Sequence, residues 1–182
     1  MVNKYILGLT SLQQAIFRML CIKAGMSLNQ RQIAQLLHVS APAVMKSLPL
    51  LEKKSLIALQ QDTQTKRWAI ELQRNNYKVL QLKRVDNLSL LYESGLVDFL
   101  EKEFAGATII LFGSYSRGED IFSSDIDLAI IGRKEKEMSL ALYEKRLDRK
   151  VHLSFYDSFR SIHTHLRENL CNGIIMAGGV AL

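Results

Sequence analysis

Four residues in the second half of the chain carry the strongest chemical signal: Gly113 and Ser114 and, after ten intervening residues, Asp125 and Asp127. The two carboxylates open the run Asp125-Ile126-Asp127-Leu128-Ala129-Ile130-Ile131, whose apolar, β-branched content predicts a strand. Alternate side chains of a strand share a face, so both carboxylates are expected on one side, with Ile126, Leu128 and Ile130 turned into the core. Like charges held that close repel unless a cation sits between them. Mg²⁺ or Mn²⁺ fits, since hard divalent ions take one or two carboxylates together with substrate phosphate oxygens. Gly113-Ser114 ends a second predicted strand, Thr108-Ile109-Ile110-Leu111-Phe112. Glycine there lets the backbone approach a phosphate closely, and the following turn offers N–H groups and a hydroxyl to its oxygens. The two pieces together imply a site for a metal-bound nucleoside triphosphate.

Phe112-Gly113-Ser114, ten residues, then Asp125-Ile126-Asp127-Leu128 resembles the Gly-Ser…Asp-x-Asp signature of the DNA polymerase β-like nucleotidyltransferases, particularly their minimal archaeal and bacterial versions. The resemblance covers residues 88 to about 156. It implies that Gly113, Ser114 and Ser124 line the nucleotide phosphates and that Asp125 and Asp127 chelate the metal. Arg117 is a candidate for adding charge to the triphosphate, with pairing to Glu119 or Asp120 as its other use. The implied reaction is transfer of a nucleoside monophosphate to a hydroxyl acceptor.

The family also has a third carboxylate on a neighbouring strand, and here the sequence departs from it. That strand is expected at 150–156, where the metal-facing position is His152 or Ser154, while Asp148 and Asp157 fall outside the run. His152 is therefore read as a candidate catalytic base or ligand, or as a hydrogen-bonded sheet residue. Binding of nucleotide and metal is expected without the third acid; transfer is left open. The alternative function, from a different class, is a DNA-binding regulator whose second domain senses a nucleotide or mediates assembly without turnover. An antitoxin-like protein acting on a partner is a third.

The elements that must position these groups follow from periodicity. Helices are expected at 88–104, 133–147 and 158–170, and the apolar tail 173–182 is read as an edge strand or an oligomer contact. His163 and His165 are read as solvated. The basic, aperiodic stretch beginning at Arg74 predicts a linker, placed at 76–87 between a first domain at 1–75 and a second at 88–182.

In the first domain, apolar positions recur at helical spacing over 9–24, a second helix opens at Asn29, and a third is expected at 41–53. Pro42 suits a first helical turn, whereas Pro49 is expected to kink or shorten that third helix. The strand-like runs 56–59 and 67–72, with a polar segment between them, predict a hairpin. Three helices and a hairpin make a winged helix, so the fold class is α+β: a winged helix, then a small nucleotidyltransferase-fold domain with a mixed sheet and flanking helices. The stretch Gln32 through Val44 also resembles bacterial and archaeal helix-turn-helix regulators. That resemblance implies contact with duplex DNA through Ser40, Ala41, Ala43, Lys46 and Ser47 on the third helix, and through Thr63, Thr65, Lys66 and Arg67 on the wing. Winged helices also serve as protein-interaction and dimerisation modules, so a protein partner and a homodimer stand beside DNA as expectations.

Composition sets the outer bounds. The chain has 182 residues, 48% hydrophobic and 23% charged, which is the balance of a folding globular chain. Its net charge of +6 favours a phosphate-bearing partner. Cys21 and Cys171 lack disulfide or zinc spacing, and no apolar stretch approaches the ~20 residues of a membrane span. A cytoplasmic location is expected.

Overall fold

The computed structural model describes residues 8–61, 63–64 and 67–180. They divide into two compact units, residues 1–79 and 80–182.

The first unit is a winged helix. Helix α1 (Ser11–Ile22) is closed by a capping box between Thr10 and Gln13, and α2 (Gln30–Leu36) by one between Asn29 and Gln32. Helix α3 (Ala41–Lys53) starts on a Ser40 cap, and the α2–α3 turn passes through His38 at φ 53°. Helix α3 has the expected bounds, and Pro49 lies inside it without shortening it; Leu48 and Leu51 are buried on either side, and that packing carries the helix on to Lys53. Strands β1 (Ile57–Gln61) and β2 (Trp68–Leu72) pair antiparallel, and Leu28 exchanges two backbone hydrogen bonds with Ile70 beside them. Ile16, Leu20, Ile33, Val44, Leu51 and Ile70 form a closed core, each at most 1% exposed. Full burial of such side chains contributes about 1.5–3 kcal/mol apiece.

The second unit opens with α4 (Tyr77–Glu93) and α5 (Leu96–Glu103). Two expectations are corrected here. Residues 76–87 form most of α4 rather than a linker, and the helix expected at 88–104 is broken at Gly95, which sits at φ 79°. The periodicity was hidden because the inward positions of α4 include Lys83 and Asn87, 1% and 4% exposed, as well as Val79 and Leu91.

A four-stranded mixed sheet follows, built from β3 (Thr108–Phe112), β4 (Ile126–Ile131), β5 (Val151–Tyr156) and β6 (Ile174–Ala177) in the order β5-β4-β3-β6. The β4–β5 pair is parallel and the others antiparallel. Ile126, Leu128 and Ile130 do face a core, packed with Leu96 and Leu100 of α5. The opposite face is covered as well, where Ile110, Ala129 and Ile131 meet Phe159, Ile162 and Leu170.

A five-residue helix, α6 (Gly113–Arg117), links β3 towards β4, and α7 (Ala141–Leu147) links β4 to β5. Only the last half of the expected 133–147 helix forms. Arg133 and Lys136 bond instead to the backbone carbonyls of Ala105 and Glu103, and the charged run ahead of Ala141 is not helical. The 158–170 segment is a single 3₁₀ turn, Phe159–Ser161, and then α8 (Thr164–Cys171). The tail does supply an edge strand, β6. Among the described residues no helix is long and apolar enough to cross a membrane.

Candidate nucleotide and metal site

The site forms where β3 ends against β4. Phe112 is the register partner of Asp127, so the next residue, Gly113, brings its backbone directly onto that carboxylate. A Cβ at Gly113 would lie 2.7 Å from Asp127 Oδ2, and Gly113 also has φ 74°, a left-handed conformation that side chains disfavour. Close approach and backbone conformation both require glycine here. Beyond it the chain turns into α6, whose Ser116 Oγ donates to the Gly113 carbonyl at 2.8 Å. Ser114 is half-buried at the head of that turn.

Asp127 is half-buried and Asp125 exposed. Asp125 lies one residue ahead of β4 rather than inside it, because the strand begins at Ile126, whose N–H bonds to the Lys150 carbonyl at 2.8 Å. The Asp127 carboxyl is held above the ordinary carboxylate range, first by burial and then by the charge of Asp125, while His152 pulls in the other direction. A carboxylate raised by desolvation and by a like neighbour is one that a cation stabilises strongly. His152 is the parallel register partner of Asp127 and is exposed; Ser154, two residues on, is half-buried. Asp148 and Asp157 lie outside β5 on either side.

The remaining predicted contacts are engaged with neighbours. Arg117 Nε bonds to Glu119 Oε2 at 2.7 Å with both side chains partly exposed, the pairing foreseen as its other use. Ser124 Oγ accepts the Ile121 N–H at 3.0 Å, closing the turn that leads into Asp125. A cleft of about 330 Å³ borders Asp125, lined also by Ser123, Ser124, Glu144, Arg149 and Lys150.

Among the described residues no three His, Cys, Asp or Glu side chains group to hold a metal by themselves. The donor set is a pair of carboxylates. That set fits a hard divalent ion that draws its other ligands from water and substrate phosphate, and it does not fit a resident structural metal.

Sequence reasoning missed the polar cluster beneath this site. Asp120 Oδ1 accepts from Lys83 Nζ and, at 2.7 Å, from Asn87 Nδ2, which also donates to the Tyr115 carbonyl at 2.9 Å. Arg149 approaches Asp120 Oδ2 at 3.8 Å. Burial, with Asp120 second, pushes the Tyr115 phenol well up. Nothing in the local pattern distinguishes Asp120 from its exposed neighbour Glu119, so only the fold could identify it.

On α3, Ser40 is exposed but its hydroxyl caps the helix by accepting the Ala43 N–H at 3.3 Å. Ala41 and Ala43 are half-buried and Lys46 is exposed. Ser47 is a correction: it is 7% exposed, its Oγ donates to the Ala43 carbonyl at 2.9 Å, and its own carbonyl accepts from Gln13, so it faces the core. On the wing Thr63 and Arg67 are exposed, while Thr65 and Lys66 lie outside the described residues.

Residues 93–175, which include β3, the Gly-Ser turn and the Asp-x-Asp strand start, match the nucleotidyltransferase domain family. The matched stretch lies within the second unit, after the winged helix. Among solved structures, the chain is similar to MepR of S. aureus, determined in complex with DNA, at 25% identity and a TM-score of 0.40 over 54% of this chain and 80% of that one. It is also similar to the adhesin competence repressor AdcR of Streptococcus pyogenes, at 21% identity and a TM-score of 0.43 over 57% and 72%. No curated protein matches the chain.

Proposed function

We propose that this chain binds a Mg²⁺- or Mn²⁺-nucleoside triphosphate at Gly113, Ser114, Asp125 and Asp127 and transfers the nucleoside monophosphate to a hydroxyl acceptor, while its winged helix engages duplex DNA. The observation that carries the reading is the apposition of Asp127 Oδ2 to the Gly113 backbone, which brings a metal-seeking carboxylate and a phosphate-seeking turn to one point. Asp125 and Asp127 would hold the metal, which neutralises phosphate charge when bound. Gly113 and Ser114 would orient the triphosphate, and the cleft beside Asp125 would admit the acceptor. In the transfer, the acceptor oxygen bonds to the α-phosphorus, the bond to the pyrophosphate oxygen breaks, and pyrophosphate leaves with its electron pair. The hydroxyl proton passes to a base, for which the His152 imidazole beside Asp127 is the candidate.

A second reading, a DNA-binding regulator that senses nucleotide without turnover, is favoured by one specific observation. The place beside Asp127 holds His152, and among the described residues no third carboxylate joins the pair. A cytoplasmic setting suits both readings, since NTP, metal ion and DNA meet there.

Calorimetric titration of the full chain with each NTP, with and without Mg²⁺ or Mn²⁺, tests the site; unchanged binding in Asp125→Asn/Asp127→Asn would refute it. Incubation with labelled NTPs and cell extract then separates the readings. Covalent label on any acceptor supports transfer, and metal-dependent binding without label supports the sensor.

A further inference from the structure

We propose that Asp120 is the positioning residue of this site, the hub of a buried ion cluster that fixes the three segments carrying Gly113, Asp125 and His152 relative to one another. The inference rests on the nucleotide-binding reading above. Asp120 and Lys83 are each 1% exposed, Asn87 4% and Arg149 7%, so the carboxylate meets two cations and an amide away from solvent.

The cluster reaches a residue close in sequence to each group of the site. Asn87 ties Asp120 to the Tyr115 carbonyl, two residues beyond Gly113. Asp120 itself stands five residues before Asp125, in the loop that leads to β4. Arg149 stands three residues before His152, and its Nη1 also donates to the Asp148 carbonyl at 2.9 Å, fixing the turn into β5. Lys83 and Asn87 come from α4, the helix against which the same loop is packed: a Cβ at Gly118 would fall 2.3 Å from the Leu80 carbonyl. One carboxylate therefore holds together α6, the loop to β4 and the start of β5.

Buried charge is a costly way to stabilise a fold, since apolar side chains of similar volume do as well or better. What it supplies is directional restraint. A pair of metal-binding carboxylates needs that restraint, because residues behind the ligands commonly set metal affinity.

The test uses the full chain and two variants. Asp120→Asn removes the charge, and the apolar triple variant Lys83→Met/Asp120→Leu/Arg149→Met removes the cluster without leaving an unpaired ion. ATP, CTP, GTP and UTP are each titrated with and without Mg²⁺, alongside thermal melts. The expected result for the triple variant is an undiminished Tm, little change in metal-free nucleotide affinity, and loss of about 10–100-fold in the Mg²⁺-dependent gain. Full retention of that gain in the triple variant overturns the proposal, as does a parallel loss of metal-free binding, which marks a merely structural cluster. Wild-type protein that shows no Mg²⁺-dependent gain defeats the nucleotide-site reading itself, and this inference with it. Should the variants not fold, hydrogen exchange on wild-type protein decides: Mg-nucleotide is expected to protect the amides of 113–115, 120–126 and 150–152 together, and independent protection of the three segments overturns the proposal.

Discussion

His152 stands next to Asp127 across the parallel β4–β5 pair, their Cα atoms in direct register, so an imidazole rather than a third acid stands beside the carboxylate proposed to hold metal. That neighbour lowers the Asp127 carboxyl, while burial and Asp125 raise it by more. The site is thus a pair of acids under electrostatic tension with an imidazole beside them.

The raised Asp127 carboxyl has two consequences of opposite sign. Metal-nucleotide binding needs the ionised form, so affinity should fall with falling pH through a midpoint above the usual Asp value of about 3.9. For stability, a folded-state pKa above the unfolded one favours the native state below the unfolded pKa, and that advantage is lost as pH rises through the folded value. Asp127→Asn is therefore expected to raise Tm at pH 7 and to leave it unchanged in acid, while abolishing metal-dependent nucleotide binding. Melts at several pH values together with calorimetry check both; a lowered Tm at pH 7 contradicts the account.

Gly113→Ala places a methyl against Asp127 Oδ2 and forces a non-glycine residue to φ 74°. A left-handed conformation costs about 1–2 kcal/mol on its own, so a lower denaturation midpoint is expected together with at least tenfold weaker metal-nucleotide binding, about 1.4 kcal/mol. Denaturant unfolding and titration would measure the two losses separately. Retained binding means that the turn does not touch phosphate.

His152→Asp restores an acid beside Asp127. It is expected to tighten Mg²⁺ binding and, if the transferase reading holds, to change the yield of labelled acceptor. His152→Ala separates the roles: loss of transfer with nucleotide affinity intact identifies the imidazole as a base. Equal transfer in the wild type and His152→Ala removes His152 from the reaction.

Lys46 and Arg67 are exposed on α3 and the wing, and Ser47 is not. Lys46→Ala and Arg67→Ala should each weaken duplex binding in low salt and reduce the slope of log affinity against log salt by about 0.9 for each phosphate left unneutralised. Ser47→Ala should leave DNA affinity unchanged and cost about 0.5–1.5 kcal/mol of stability through the missing hydrogen bond to Ala43. Gel shifts over a salt series distinguish these outcomes. No binding at low salt would make the first unit a protein-interaction module.

Much of the architecture was legible because it is written locally. Strand β3 is a largely apolar run and β4 is one but for Asp127, and Asn29 and Ser40 each precede a helix that they cap. The misreadings share a cause. The inner face of α4 carries Lys83 and Asn87, so its periodicity looks polar and the segment passes for a linker. The charged 133–140 run has helix-forming residues, yet Arg133 and Lys136 find backbone carbonyls elsewhere and the run is not helical.

What the sequence determined by itself was which residues stand together as the proposed site. Residue types and spacing alone place a Gly-Ser turn ahead of two alternating carboxylates, of which the structure sets Asp127 inside β4 and Asp125 just before it. What only the tertiary structure decided was which distant residues meet them. The β4–β5 register sets His152 beside Asp127, and the fold gathers Lys83, Asn87 and Arg149 around Asp120. The physical reason is that pairing between strands and the partners of a buried ion depend on residues dozens of positions apart, whose meeting is governed by how the whole core closes rather than by any local pattern.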